Sequence, residues 1–293
     1  MNQNHSLGRS LELFFIDGKP DGILTAEMYD WPGRILMAPR TRIKETLKRT
    51  EAAHTGVYIL LGENDGQDLT YIGEGEVIGP RISSHVKTKD WWNAAVLITS
   101  SANNLNKAHV KYLESRLIEE AMAANRTALD NSATPALPGL SEADRMKMEV
   151  FLQNLFMVLP ALRIDCFVKN TRSIDANSQD EGLTFELKAP KHGIHAMAQL
   201  ENGEFVVLEG SVLRGGWEGR GSENSSYAKL YEQMAQMGLF TEKDGNRVFS
   251  QNYAFKSPSA AASVVTGRAA NGATEWKVKG SSQTYKQWEA AQL

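Results

Sequence analysis

The chain has 293 residues, 42% of them hydrophobic and 23% charged, with a formal net charge of −3. That length suggests two domains of about 100–200 residues each, and the charge excludes a general polycation, so any hold on nucleic acid has to come from a local basic patch. A single cysteine, Cys166, excludes an intramolecular disulfide and a thiolate zinc site; it fits a reducing cytosol and, lying in an apolar run, reads as a buried structural thiol. No stretch approaches the ~18 apolar residues of a membrane span, and the first ten residues carry no apolar signal core. A soluble, cytoplasmic protein without a membrane partner is expected.

Residues 10–38 predict strands, from the alternation around Leu11, Leu13 and Phe15 and from turns at Asp17-Gly18, Asp21-Gly22 and Trp31-Pro32-Gly33. A basic stretch follows, Arg40, Arg42, Lys44, Lys48 and Arg49, with helical character from Ile43 and Leu47. The runs 56–61 (GVYILL) and 69–72 (LTYI) predict a hairpin across a polar loop with an Asp-Gly turn. A short helix over 77–87 presents Ile78, Ile82 and Val86 on one face, and 94–99 (AAVLIT) is a further strand. Residues 104–124 make the clearest helix, capped by Asn104 or Asn106. The loop 132–140 leads to an amphipathic helix running from Ser141 to near Pro160, with Ser141 and Asp144 at capping-box spacing. The polar segment 170–182 predicts a domain linker. Strands return in LTFELKA, IHAMAQL and EFVVLEG, the last two joined by a tight turn at Asn202-Gly203. A Gly-rich loop at 214–224, a helix at 226–237, a turn at Asp244-Gly245 and a short polar helix complete the chain.

Four features between residues 56 and 131 fit together. Tyr58 and Tyr71 lie on the paired strands, in GVY and YIG. Arg81 and His85 are four apart on the next helix and so neighbours on its surface. Glu114 falls inside the apolar arc of its helix, among Val110, Leu113, Leu117, Ile118 and Ala121, where a carboxylate is costly unless paired or bound to metal. Asn125 and Asn131 follow that helix. Taken singly, each has a plain alternative: strand tyrosines pack, Arg81 and His85 line a solvated helix face, and Glu114 pairs with Lys111 or an arginine.

In this order, on strand, strand, helix and helix, GVY, YIG, Arg81, His85, Glu114 within YLESRLIEEA, and a following asparagine resemble the GIY-YIG nuclease family, which includes a component of the excision-repair endonuclease, some homing endonucleases and some restriction enzymes. The resemblance implies a magnesium- or manganese-dependent endonuclease that hydrolyses phosphodiester bonds, in DNA in the first place. Tyr58, Tyr71, Arg81, His85, Glu114 and Asn131 would be its catalytic set, with Asn131 preferred to Asn125. Glu114 would be the metal ligand, since a lone carboxylate suits one hard cation whose shell is completed by water and phosphate. Arg81 can fork onto a non-bridging phosphate oxygen. Tyr71 is assigned as the base, with Tyr58 and His85 supporting, although a free phenol pKa of about 10 has to be lowered for that task. Val57 replaces the family's middle Ile, and Glu74 stands where many relatives carry a basic residue.

The flanks carry weaker signals. WPGRILMAPRTRI resembles the extension that precedes such modules, and Arg40, Arg42 and Lys44 are candidate phosphate contacts. Residues 183–278 resemble a domain of unknown function found behind GIY-YIG modules, through SSYAKLYEQM, FKSPSAAASVVTGR and the NG…W that ends at Trp276. The SPSAAA…NG…W pattern is also similar to the RAMA domain of restriction and DNA-modification proteins, which implies a substrate-binding accessory domain. His192 and His195, three apart, read as structural rather than metal-binding. The expected fold is α+β: an N-terminal β-rich extension with a basic helix (1–50), a small GIY-YIG-type antiparallel sheet flanked by helices (51–140), a connecting helix (141–169), a linker (170–182) and a separate α+β domain (183–293). A silent DNA-binding or regulatory protein on the same fold, or an RNase, are the alternative functions.

Overall fold

Alternating apolar residues in the first forty positions pair into an antiparallel meander of β1 (Leu11–Phe15), β2 (Leu24–Met28) and β3 (Gly33–Pro39). The protein is seen here as a computed structural model that describes residues 8–171, 183–201, 203–219 and 225–292. The chain divides into two compact units, residues 1–169 and 170–293, and the fold is α+β.

In the first unit the basic stretch does not form one helix. Arg40–Arg42 is a 3₁₀ turn, α1 (Ile43–Thr46) is a single α-turn, and Thr50–Ala53 is again 3₁₀. The expected hairpin follows as β4 (Gly56–Asn64) and β5 (Gln67–Gly75), closed by Asp65 and Gly66, both at positive φ (51° and 77°). That two-residue geometry matches the right-handed twist of the strands it joins. Then come α2 (Ile78–Thr88), β6 (Trp92–Ser100), α3 (Lys107–Ala124), the two-residue β7 (Ala128–Leu129) and α4 (Glu142–Ala161). Asn106, rather than Asn104, caps α3: its side chain accepts from the His109 N–H while His109 Nδ1 accepts from the Asn106 N–H. Ser141 caps α4 by accepting from the Asp144 N–H.

The seven strands make one sheet in the order β1-β2-β3-β6-β4-β5-β7, antiparallel except for β5–β7. The N-terminal strands are therefore part of the sheet that holds the tyrosines, joined through β3–β6 pairing from Gly33↔Ser100 to Pro39↔Ala94. Helix α4, expected as a connector, buries Phe151, Leu152, Leu155, Val158 and Leu159 in the same unit. Sequence patterning separates 1–50, 51–140 and 141–169 because the basic and proline-rich stretches look like boundaries; long-range strand pairing and helix packing unite them.

Period-2 alternation sorts the sheet's side chains into two cores. Val57, Ile59, Ile72, Val96 and Ile98 face α3 and α4 on one side. Tyr58, Leu60, Ala95 and Leu97 face the other, with Ile78 and Ile82 of α2. Val86, expected on the buried stripe of α2, is exposed. Strand β5 is covered on its outer side only by the short β7 at Leu69–Thr70, so its end at Gly73–Gly75 has no strand neighbour there among the described residues.

The second unit carries β8 (Thr184–Ala189), β9 (Ile194–Glu201), β10 (Glu204–Val207), β11 (Val212–Leu213), α5 (Ser226–Gln236), β12 (Phe240–Lys243), β13 (Asn246–Phe249), β14 (Tyr253–Phe255), α6 (Pro258–Thr266), α7 (Gly272–Glu275), β15 (Lys277–Val278) and α8 (Tyr285–Ala290). Its eight strands form one sheet, and α6 is buried along its length by Ala260, Ala261, Ala262, Val264 and Val265. The β9–β10 hairpin has the expected register, Glu201↔Glu204, though Asn202 of its turn lies outside the described residues. So do 172–182 of the expected linker and 220–224 of the Gly-rich loop. Asn170 and Thr171 belong to the second unit: the Asn170 carbonyl accepts from the Ala254 N–H at 2.6 Å, and Thr171 bridges to Tyr253.

Candidate active site

Strand register brings the two tyrosines to one face. Tyr58 lies opposite Gly73 and Tyr71 opposite Leu60, so the rings are diagonal neighbours with centroids 6.2 Å apart. The glycines of the two motifs make the room. A Cβ on Gly73 would stand 2.4 Å from the Tyr58 hydroxyl oxygen, and one on Gly56 would stand 2.3 Å from the Ile98 carbonyl oxygen. Tyr58 is wholly buried, whereas Tyr71 is half-buried and within reach of solvent. Burial first, and then the neighbouring Tyr71 hydroxyl, push the Tyr58 phenol well above its ordinary range, with the Arg81 guanidinium opposing.

Helix α2 sets Arg81 and His85 over this pair. The Tyr58 hydroxyl and His85 Nε2 are 2.8 Å apart, and the Tyr71 and His85 rings meet edge-on at 4.8 Å. Burial, then the charges of Lys89 and Arg81, hold the imidazole below its ordinary pKa, with Asp130 opposing. A phenol that keeps its proton beside an imidazole that sheds its own fits a bond in which the Tyr58 hydroxyl donates to Nε2. Arg81 is exposed and makes no ion pair among the described residues; its stem passes over Gly75, where a Cβ would come within 3.2 Å of Arg81 Cγ. The whole arrangement is packed on buried Ile78 and Ile82.

Glu114 approaches from the opposite face of the sheet, on α3, beside the uncovered end of β5. It is partly buried and has no hydrogen bond or ion pair among the described residues. Burial pushes its carboxyl up to about 7, and the charge of Glu74 pushes in the same direction; Arg81, Lys107 and Lys111 oppose. Glu74 itself is bound by Lys107, whose Nζ lies 2.8 and 2.9 Å from its two carboxylate oxygens. The lysine or arginine pairing that would have made Glu114 a structural residue is not formed. A partly buried carboxylate without an ion-pair partner, with the carboxylate of Glu74 near, is a donor set that fits one hard divalent cation. Among the described residues no group of three or more His, Cys, Asp and Glu is arranged to hold a metal, so any such ion would rest chiefly on Glu114 and solvent.

Asn131, expected in the catalytic set, is bound to the main chain beside Tyr71. Its Oδ1 accepts from the Ile72 N–H at 3.0 Å and its Nδ2 donates to the Ile72 carbonyl at 2.7 Å. Its amide thus continues the β7 pairing as a side-chain rung and fixes the strand between Tyr71 and Gly73. Asn125 sits at the C-terminus of α3 in the left-handed conformation, φ 47°. The basic run also needs correction. Arg40 lies 4.4 Å over the Trp92 ring and donates to the carbonyls of Lys89 (2.8 Å), Trp92 (3.2 Å) and Val86 (3.1 Å), which closes the end of α2. Arg42 is neutralised by Asp17 at 2.7 Å and by a two-pronged contact with Glu45 at 2.8 and 2.6 Å. Only Lys44 of the three is exposed without an ion pair among the described residues. A charge run read from sequence does not reveal that its guanidinium groups are already spent on carbonyls and carboxylates.

Two residues of this neighbourhood escape a reading of the sequence: Lys89 and Asp130. Lys89 continues the four-residue step from Arg81 and His85, and Asp130 sits beside Asn131 in LDN, so position alone could have drawn attention to both. Elsewhere, Cys166 is a free, buried thiol held up to about 12 by burial. His195 stands 4.0 Å from Glu186 with most of its surface open, and His192 ends a short turn.

Residues 185–289 match the family described as Domain of unknown function (DUF4357), less than half of the chain. Comparison with curated proteins and with solved structures returns no significant match. In this region the SPSAAA…NG…W residues close a core. Ser257 caps α6, Gly272 N–H donates to Ser259 Oγ at 3.0 Å, and Trp276 Nε1 donates to the Pro258 carbonyl at 3.1 Å. A Cβ on Gly272 would meet that carbonyl at 2.1 Å. No helix among the described residues is long and apolar enough to cross a membrane.

Proposed function

We propose that the first unit is a divalent-metal-dependent nuclease of the GIY-YIG type acting on DNA. The observation that carries this reading is the gathering of Tyr58, Tyr71 and His85 at one point, with Arg81 beside them and an unpartnered Glu114 within electrostatic range across the uncovered strand end. No side-chain set among the described residues of the second unit offers comparable chemistry. That unit, through its RAMA-like pattern, would serve as an accessory contact to the substrate.

Hydrolysis of a phosphodiester needs a water to lose a proton as its oxygen bonds to phosphorus, and the charge on the phosphate and on the departing oxygen to be stabilised. Arg81, exposed and without an acidic partner among the described residues, would bind a non-bridging oxygen. Tyr71, the solvent-reachable tyrosine, would orient the water and, as the phenolate left after its own proton has gone to solvent, take the water's proton, with His85 supporting it against its ring. Tyr58, buried and protonated, would hold His85 rather than act as base. Magnesium or manganese held at Glu114 would supply Lewis-acid stabilisation of the developing charge. Arg81→Ala and Tyr71→Phe test the assignment. Both should lose cleavage of single-stranded, duplex or branched DNA by roughly 10²-fold or more, the weight of one such group, while binding persists. Binding without cleavage by the unaltered protein would instead favour a silent DNA-binding role, and cleavage of RNA alone an RNase.

A further inference from the structure

We propose that Lys89, held by Asp130, is a positioning residue of this site, seating Tyr71 against His85 and setting the charge state of the imidazole through its own. The catalytic meaning of this rests on the nuclease reading; the geometry does not. Lys89 Nζ lies 4.6 Å over the Tyr71 ring and forms an ion pair with Asp130. A cation on that face and the His85 edge together confine the ring. The backbone of Lys89 is fixed at both ends: its N–H donates to the His85 carbonyl at 2.9 Å, and its carbonyl accepts from Arg40. Asp130 is fixed too, by its N–H donating to the Thr70 carbonyl at 2.8 Å, one residue before the Asn131 clamp on Ile72.

The loop after β7 therefore serves Tyr71 twice, through the main chain of its neighbour and through the cation on its ring. The groups that face His85 are Arg81 from its own helix, Lys89 just past that helix's end, Tyr58 from β4, Tyr71 from β5 and Asp130 from the loop after β7. The two cations disfavour the imidazolium and Asp130 favours it. Lys89 thus favours the neutral imidazole, the state in which Nε2 can accept the hydrogen bond of the Tyr58 hydroxyl.

The sign of each charge makes the test decisive. His85 would be titrated by NMR of the histidine ring in the full chain, its signal assigned by its loss in His85→Gln. Lys89→Met should move the His85 midpoint upward, Lys89→Arg should keep it near the original, and Asp130→Asn should lower it. If the protein cleaves DNA, the acid limb of the kcat profile should move upward in Lys89→Met by the same interval with KM little altered. A lysine that only packs on Tyr71 would leave the midpoint unchanged, or shift it in the same direction in Lys89→Met and Asp130→Asn, and either result overturns the proposal. Should Lys89→Met not fold, the sign of the Asp130→Asn shift decides. Failure of the unaltered protein to cleave would end the nuclease reading while the titration still judged Lys89.

Discussion

Replacing Glu114 by glutamine separates a metal-site carboxylate from a structural one, because the two make opposite predictions. In the folded, metal-free chain the carboxyl is pushed from an ordinary 4.5 up to about 7, by burial and then by Glu74. Between those values the folded state binds more protons than the unfolded one, so stability falls as pH rises from about 4.5 to about 7 and stays reduced above it. A tenfold difference in proton affinity between the two states is worth about 1.4 kcal/mol; because the carboxylate is only partly buried, solvent screening brings the penalty to on the order of 1–2 kcal/mol. Glu114→Gln keeps the shape and removes the charge. With chelator present, it should stabilise the protein by that amount at pH 8 and change little at pH 4.5, measured by denaturant unfolding at both. Magnesium should raise the melting temperature of the unaltered chain but not of the variant, and the variant should bind DNA without cutting it. Destabilisation of the variant at pH 8 would mean that Glu114 has a cationic partner, and the reasoning would fail.

Three further substitutions probe the scaffold beneath the site. Gly73→Ala should destabilise by roughly 1–3 kcal/mol, since its methyl meets the Tyr58 hydroxyl inside a packed core; a thermal melt at full stability would show that β5 can move away. Asn131→Ala removes both bonds to the Ile72 main chain and should cost roughly 1–3 kcal/mol in urea unfolding. It should also lower kcat through a displaced Tyr71, so an unaltered kcat would confine Asn131 to stability. Arg40→Ala should cost roughly 1.5–3 kcal/mol, because it strips the carbonyls at the end of α2 of a charged donor. The salt dependence of its DNA binding should stay as it was, and a flatter slope would return Arg40 to the phosphate contacts.

Local patterning carries most of the first unit's site. The hairpin, the helix of Arg81 and His85, and the helix of Glu114 all lie within about three residues of their expected limits, because each has a strong period and clear end signals. The misplacement of Glu114 in an apolar arc is visible in the sequence, and its lack of a partner is the structural counterpart. What escapes is non-local. The pairing of β3 with β6 makes 1–50 part of the sheet that carries the tyrosines, and neither strand announces its partner. Strand β7 is two residues long and rests on Asn131. Arg40 depends on carbonyls 46 to 52 positions away, and Arg42 on Asp17, 25 positions away, as well as on its neighbour Glu45. The same holds in the second unit, where the meaning of NG…W lies in Gly272 and Trp276 meeting the start of α6.

The central claim is that this chain hydrolyses phosphodiester bonds at Tyr71, Arg81 and Glu114. The most direct measurement is a gel assay of the purified full chain on supercoiled, single-stranded and branched DNA, with magnesium, manganese or chelator, beside Glu114→Gln at equal concentration. Metal-dependent nicking or cutting of at least one substrate by the unaltered chain, and none by the variant, is the expected result. Equal products from both proteins, or intact DNA in every metal-containing lane despite measurable binding, would contradict it.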